Sequence, residues 1–492
     1  MAENYRSEYP PQRRRRKRVP KWKRMLRKYW PPIRFGMICL ALVLAIVFSV
    51  KGVISLFRGG PDNDVDMEQM DATTEPTEET LSEEELLHMA EQLAEDAQWM
   101  SYGYDYQGAI ELIQSFENYQ NYTFLTDAIK EYQELDLQLV SYPDMDKITH
   151  IFFHSLIVDT DRAFDGDSDQ RGYNQYMTTC TEFIKILESM YAKGYVLVSP
   201  YDVAYEVTAA AGYTYFTYGD IRLPEGKIPF LMSQDDVNYY GYMIGDIDGK
   251  GETPATASVN GDGFATRLVI GDDGFVTCEY MDAEGNITYG DYDLVPLLEK
   301  FIQEHPDFSY HGARAMLGLT GYEGVFGYRT KPSYEAALGT EAYQKECEQA
   351  RAVSEALKEQ GFLVVSHSYG HPRYGDIPAE NVERDSDKWE TTVETIVGET
   401  DIILYPNGSD IAGTGQYTMD NAKFVALYED GYRYFFNVDG NKYWCQLGSN
   451  YYRAGRRNLD GYRMFYYPKK CADLFDVDEV FDPARPTPVP KI

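Results

Sequence analysis

From Ile148 onward, short apolar runs alternate with amphipathic stretches, and that alternation limits the chain to a sheet covered by helices. The run from Ile148 to Ile157 predicts a buried strand. Residues 176–193, with Met177, Phe183, Leu187 and Met190 at helical spacing, predict a helix. Residues 195–199 and 227–232 read as the next strands. Residues 294–304 read as a helix with Pro296 in its first turn. Residues 342–360 predict a helix stopped by Gly361, followed by a strand over 362–366. Residues 389–397 and 401–405 repeat that pair. Repeated strand–helix units predict an α/β fold, either an open parallel sheet or a βα barrel. Residues 246–290 interrupt the rhythm with Gly/Asp-rich turns and alternating runs, which predict an inserted β-hairpin region. Asp246, Asp248 and Gly249 hint at a calcium loop, but the remaining ligand positions do not follow, so hairpin turns are the better reading.

The N-terminal part is of a different kind. Residues 1–34 carry 13 Lys/Arg and two acids, while the whole chain carries a net charge of −33, leaving −44 on the remainder. A body this acidic repels phosphate backbones and argues against nucleic acid as a partner. The basic run Arg13–Arg18 precedes sixteen uncharged residues, Phe35 to Val50, and the apolar character resumes after Lys51. Residues 35–57 are long enough for a transmembrane helix of roughly 34 Å. The positive flank places residues 1–34 in the cytoplasm and the main domain outside the cell membrane, a single-pass arrangement. No small-residue cleavage site follows Val50, which favours a retained anchor over a signal peptide. Residues 58–80 read as an acidic stalk, and 81–140 as a helical hairpin region opened by a Ser82/Glu85 capping box. The α/β domain is expected over 146–475 and a Pro-rich, polyproline-type tail over 476–492. Five cysteines lie outside the span, an odd number with no zinc-site spacing, and a Cys445–Cys471 bridge is open in an oxidising compartment.

Three segments carry chemistry, each directly after a predicted strand. His367 and His371 are two of only seven histidines, at a spacing that would share one helix face and bind one cation. Asp235 and Asp236 follow the strand ending at Met232; one carboxylate can complete a two-His-one-carboxylate site while its neighbour serves as a general base. Tyr405, Pro406, Asn407 and Gly408 form the third segment, which alone is a turn. The carboxyl ends of the strands are where α/β folds build sites.

In this order the three segments resemble the polysaccharide deacetylase family (the NodB homology domain, carbohydrate esterase family four), over about residues 146–415. The strand ending at Phe153, His154 and Ser155 is also similar to that family's opening strand. The resemblance implies a distorted βα barrel, with Asp236, His367 and His371 holding a divalent metal, usually zinc, and Asp235 as catalytic base. It implies that Tyr239, Pro406, Gly408 and His154 line the substrate, and that the activity is hydrolysis of a carbon–nitrogen, non-peptide bond in acetylated polysaccharide or peptidoglycan of the envelope. The chain departs from the family pattern where Ser233-Gln234 replaces Thr-Phe, where no Arg precedes Pro406, and where no histidine follows His371. His154, His311, Arg457 and Arg463 are open as substitutes for the missing general acid. The alternative is a catalytically silent glycan-binding or scaffold protein on the same fold.

Overall fold

Seven strands pair in parallel until the last meets the first, and four of them, near residues 150, 230, 365 and 403, are strands the sequence predicts. In the computed structural model, which describes residues 81–209, 211–246 and 253–492, the strands are β1 (Thr149–Phe153), β2 (Tyr195–Leu197), β3 (Ile228–Gln234), β4 (Met316–Leu319), β5 (Leu363–Ser366), β6 (Ile402–Leu404), β7 (Tyr434–Val438), β8 (Cys445–Leu447) and β9 (Tyr452–Asn458). The closed ring runs β4, β5, β6, β7, β9, β1, β3 and back to β4. Closure is made at Ser233↔Met316 and Gln234↔Leu317. The first half of β3 is occupied on that same edge by β2, through Tyr195↔Ile228 to Leu197↔Phe230. One strand thus serves two neighbours in succession, which distorts the barrel. β8 adds an antiparallel flank to β9.

Strands of a closed parallel barrel are buried on both faces, hence their near-continuous apolar composition. All of β1 and β4 is buried. Alternate residues serve different cores. Ile151, Phe153, Phe230, Met232, Leu317 and Leu319 share a cluster with Phe183, Ile186, Leu187 and Met190 of the helix Cys180–Ala192, with Leu298 of Leu294–Glu304, and with Val353 and Leu357 of Thr340–Glu359. The opposite parity places His150, Ser233 and Arg456 together, with His150 and Arg456 both contacting Ser233.

The helical region over 81–140 consists of three helices, Glu83–Tyr102, Tyr106–Gln114 and Thr123–Asp136, with the first break at Gly103. The Ser82/Glu85 capping box is present. These helices share a cluster with Leu231, Val365 and Phe436 of the barrel. The helix expected over 389–397 begins ten residues earlier, at Ala379, and ends at Thr392, with a separate turn at Glu394–Val397. Its early part buries only Val382 and Ser386 before Trp389, so its apolar signal is thin. The inserted region is an antiparallel meander, Arg267–Ile270, Val276–Met281 and Ile287–Gly290. Cys445 and Cys471 are free thiols. The expected anchor and stalk lie outside the described residues, among which no helix is long and apolar enough to cross a membrane.

The Pro-rich end is not a free tail. Val477–Val480 forms a helical turn, and Arg485, its side chain fully buried, pairs with the equally buried Glu182 at 2.5 Å. Arg485 also donates to the Asn174 and Met177 carbonyls. Breaking a buried pair from one side strands a charge in low dielectric. Arg485→Met is expected to destabilise residues 81–492 by about 3–5 kcal/mol in urea unfolding; an unchanged midpoint would show that the end of the chain is dispensable.

Candidate metal centre

The site is assembled where β3, β5 and β9 end. After β3 the backbone runs straight through Asp235, whose N–H donates to the Phe153 carbonyl, and then turns at Asp236, which adopts φ +59°. Asp tolerates this left-handed conformation better than most residues. The turn sends two adjacent carboxylates to different partners. Asn238 pins the loop by donating to the Thr320 carbonyl at 2.9 Å and accepting from the Thr320 N–H at 3.1 Å.

His367 extends the β5 ladder by one residue, its N–H bonded to the Leu319 carbonyl. The chain then turns at Ser368 (φ +62°) and His371 (φ +58°). The two histidines therefore lie on a tight loop, not on the helix face that their spacing suggested. Asp385 cradles this loop by accepting from the N–H groups of Tyr369 and Gly370, both at 2.9 Å, and Ser368 Oγ accepts from the His371 N–H at 3.0 Å.

Asp236, His367 and His371 bring one donor atom each to within 4.8 Å of one another. His371 Nε2 lies 3.8 Å from Asp236 Oδ2, near the separation of two ligands each bonded at about 2 Å to one tetrahedral ion. The buried His367 donates its Nδ1–H to the Leu404 carbonyl at 2.8 Å. Its Nε2 lone pair is thereby left to face the carboxylates, the arrangement that prepares an imidazole as a ligand. Burial holds its pKa below the usual histidine value, against the pull of Asp235 and Asp236. Burial alone would raise the Asp236 carboxyl, but His371 and His367, with the Tyr240 hydroxyl donating at 2.6 Å, bring it below its usual range. Two imidazoles and a carboxylate fit a divalent ion of the zinc type.

Asp235 has a different partner. Arg456 Nη1 donates to its Oδ1 at 2.5 Å, with both side chains buried. Arg456 also donates to Ser233 Oγ at 3.2 Å and stacks over the Phe152 ring, and His150 Nε2 shares a hydrogen bond with Ser233 Oγ. Burial favours the neutral acid, yet Arg456 and then His367 outweigh it and hold Asp235 well below the usual carboxylate range. The residue that orients the expected base is thus Arg456, from β9. The sequence offered a role for its neighbour Arg457 and none for Arg456.

The other expected residues fall in different places. His154 is half-buried at the mouth, donates its Nδ1–H to the Tyr176 carbonyl at 3.2 Å, and acts electrostatically on Asp235 and Asp236. Tyr239 is fully buried and its hydroxyl donates to Asp293 Oδ2 at 2.7 Å, so it is a packing residue and not a substrate platform. Pro406 is buried, and Gly408 sits at φ +62° where a Cβ would collide with Val438. Their turn supports the strand end that presents the Leu404 carbonyl, and Pro406 is not open to a substrate. His311 bonds to Gly103 at the helical region, Arg457 pairs with Asp473, and Arg463 with Asn458. Of the substitutes for a general acid, only His154 faces the carboxylates.

No family model matches the chain, and no curated protein does. Among solved structures it is similar to the Streptococcus pyogenes deacetylase PplD in complex with acetate, with a TM-score of 0.32 and 13% identity, covering 66% of this chain and 94% of that one.

Two outcomes follow from the geometry. Zinc retained after dialysis is expected to be stoichiometric in wild type and in Asp235→Asn, and lost from the His367→Ala/His371→Ala double variant; equal retention in all three would place the ion elsewhere. In metal-free protein, Arg456→Met strands Asp235 and is expected to cost about 3–5 kcal/mol at pH 7. The folded pKa of Asp235 lies below its unfolded value of about 3.9. The pair's stabilisation is therefore fully present above that value and lost as pH falls through the folded one. The difference in urea midpoint between wild type and Arg456→Met narrows accordingly in acid, and a constant difference would contradict the pairing.

Proposed function

We propose that the chain is a metal-dependent carbohydrate deacetylase, anchored in the cell membrane by residues 35–57, with its barrel outside and acting on acetylated envelope glycan or peptidoglycan. The observation that carries this reading is the different pairing of two adjacent acids: Asp236 joins two histidines in a ligand set, while Asp235, with Oδ2 3.8 Å from His367 Nε2, is bound through Oδ1 by Arg456.

A divalent ion held by Asp236, His367 and His371 supplies polarisation of the acetyl carbonyl and a lowered pKa for water. The protein's own groups do the rest. Asp235, fixed by Arg456, accepts the proton of the attacking water as its oxygen bonds to the acetyl carbon. Breaking the C–N bond releases an amine that needs a proton. His154, tied by Nδ1 to the Tyr176 carbonyl, delivers it from Nε2 as the imidazolium, and the proton held by Asp235 leaves to solvent with the products. Products are acetate and the free amino sugar. The acidic stalk would carry the barrel away from the bilayer toward its substrate.

The second reading, a silent glycan-binding or scaffold protein, draws on one observation: no histidine follows His371, so β9 and the segments after it contribute no imidazole.

Acetate release from acetylated glycan separates the two. Zinc-loaded wild type is expected to release acetate, a chelator to abolish release, and Asp235→Asn to lower the rate by about 10²–10⁴-fold. Full activity in Asp235→Asn would remove Asp235 as the base, and glycan binding with no acetate from any substrate would overturn the enzyme reading and establish the silent one.

A further inference from the structure

His154 and Asp235 each stand one residue beyond a paired position. Phe153 of β1 lies opposite Gln234 of β3, and the Asp235 N–H continues that ladder to the Phe153 carbonyl at 2.8 Å. The separation of His154 from Asp235 therefore depends on how the chain is held as it leaves β1. Two buried polar side chains hold it. Gln234 Nε2 donates to the His154 carbonyl at 3.3 Å and to Asp293 Oδ1 at 2.8 Å. Asp293 Oδ1 also accepts from the Leu156 N–H at 3.0 Å and the Leu294 N–H at 2.8 Å, and its Oδ2 accepts from the Tyr239 hydroxyl at 2.7 Å. The segment that carries His154 is thus tied to one carboxylate twice, directly at Leu156 and through Gln234 at its own carbonyl.

Ordinary structural duties do not account for these two residues. Asp293 caps the helix Leu294–Glu304 where the inserted region returns to the barrel, but a cap needs only the Leu294 bond. The other three bonds run to the strand ends and the acid loop. Burial raises the Asp293 carboxyl, and the four donors oppose this. Gln234 is fully buried, and among the described residues its Oε1 has no hydrogen-bond partner. An apolar side chain of the same size would strand no acceptor there. What the amide adds over such a side chain is its pair of donor bonds, to His154 and to Asp293.

We infer that Gln234 and Asp293 are positioning residues that hold His154 at a fixed distance from Asp235, with Asp293 Oδ1 as the shared acceptor. The inference rests on the deacetylase reading for the role of His154 as proton donor to the leaving amine. Neither residue meets the reacting atoms; both act through the backbone on either side of His154.

The test uses leaving groups. The amine of an acetamide needs a proton to depart, whereas an aryl acetate expels a stabilised phenolate and does not. Zinc-loaded, detergent-solubilised full-length protein is assayed on a β-1,4-linked N-acetylglucosamine pentasaccharide and on p-nitrophenyl acetate. Gln234→Leu is expected to lower kcat on the pentasaccharide by about 10- to 100-fold, the scale of a misplacement near 1 Å, and to leave aryl acetate hydrolysis unchanged. Asp293→Ala should do the same, and Asp293→Asn, which keeps an oxygen at the shared position, should retain the pentasaccharide rate. In a His154→Ala background Gln234→Leu should cost nothing further on the pentasaccharide. Equal loss on both substrates would put the effect on Asp235 or the metal ligands, and loss on neither would leave the contacts purely structural; both overturn the inference. If the wild type releases no acetate from the pentasaccharide or any acetylated glycan, the deacetylase reading fails and the positioning is judged without turnover. Modification of His154 by diethylpyrocarbonate, read by peptide mass spectrometry against the exposed His88, is expected to quicken severalfold in Gln234→Leu as the segment loosens. An unchanged rate overturns the positioning.

Discussion

Arg456 and Asp235 form a buried ion pair across the mouth of the barrel, and the arrangement of the site depends on it. Two charges taken out of water repay their desolvation only when geometry and further hydrogen bonds are good. Here Nη1 also reaches Ser233 Oγ, itself bonded by His150, and the guanidinium lies over the Phe152 ring, while its Nε and Nη2 have no hydrogen-bond partner among the described residues. The pair exists because the ring is closed: β9, β1 and β3 are consecutive neighbours, so a side chain from β9 passes over β1 to meet the end of β3.

That pair also gives the second acid its freedom. With Asp235 engaged, the left-handed turn at Asp236 directs the next carboxylate to His371 and the Tyr240 hydroxyl. The histidine loop mirrors this economy. Positive φ at Ser368 and His371, with Asp385 capping the intervening N–H groups, folds two imidazoles back onto one point. Backbone conformations of this kind cost of order 1–3 kcal/mol each, and they cluster where a site over-determines the chain. Among the described residues, four of the nine non-glycine residues with positive φ, Asp236, Tyr239, Ser368 and His371, lie in these two loops.

Much of this was legible because parallel strands announce themselves as short apolar runs and their carboxyl ends carry the chemistry. The helix Leu294–Glu304 matches its sequence limits, since Asp293 caps it and Pro296 fits its first turn. The ligand residues stood out through the scarcity of histidine. Arg456 did not, because its partner lies 221 residues away and nothing local distinguishes it from Arg453 or Arg457. Tyr239 read as a platform by adjacency to the acids, but its left-handed φ and its bond to Asp293 turn it inward. The Pro-rich end read as free because the partner of Arg485, Glu182, is a capping residue on a helix 303 residues earlier. Pairings of this range are set by topology, which local composition does not encode.

The central claim is the division of labour between the two acids, and anomalous scattering at the zinc edge from crystals of zinc-soaked protein tests it most directly. The account predicts one peak within bonding distance of His367 Nε2, His371 Nε2 and an Asp236 oxygen, with Asp235 still paired to Arg456. A peak that draws Asp235 off Arg456, or no peak among these residues, would contradict it.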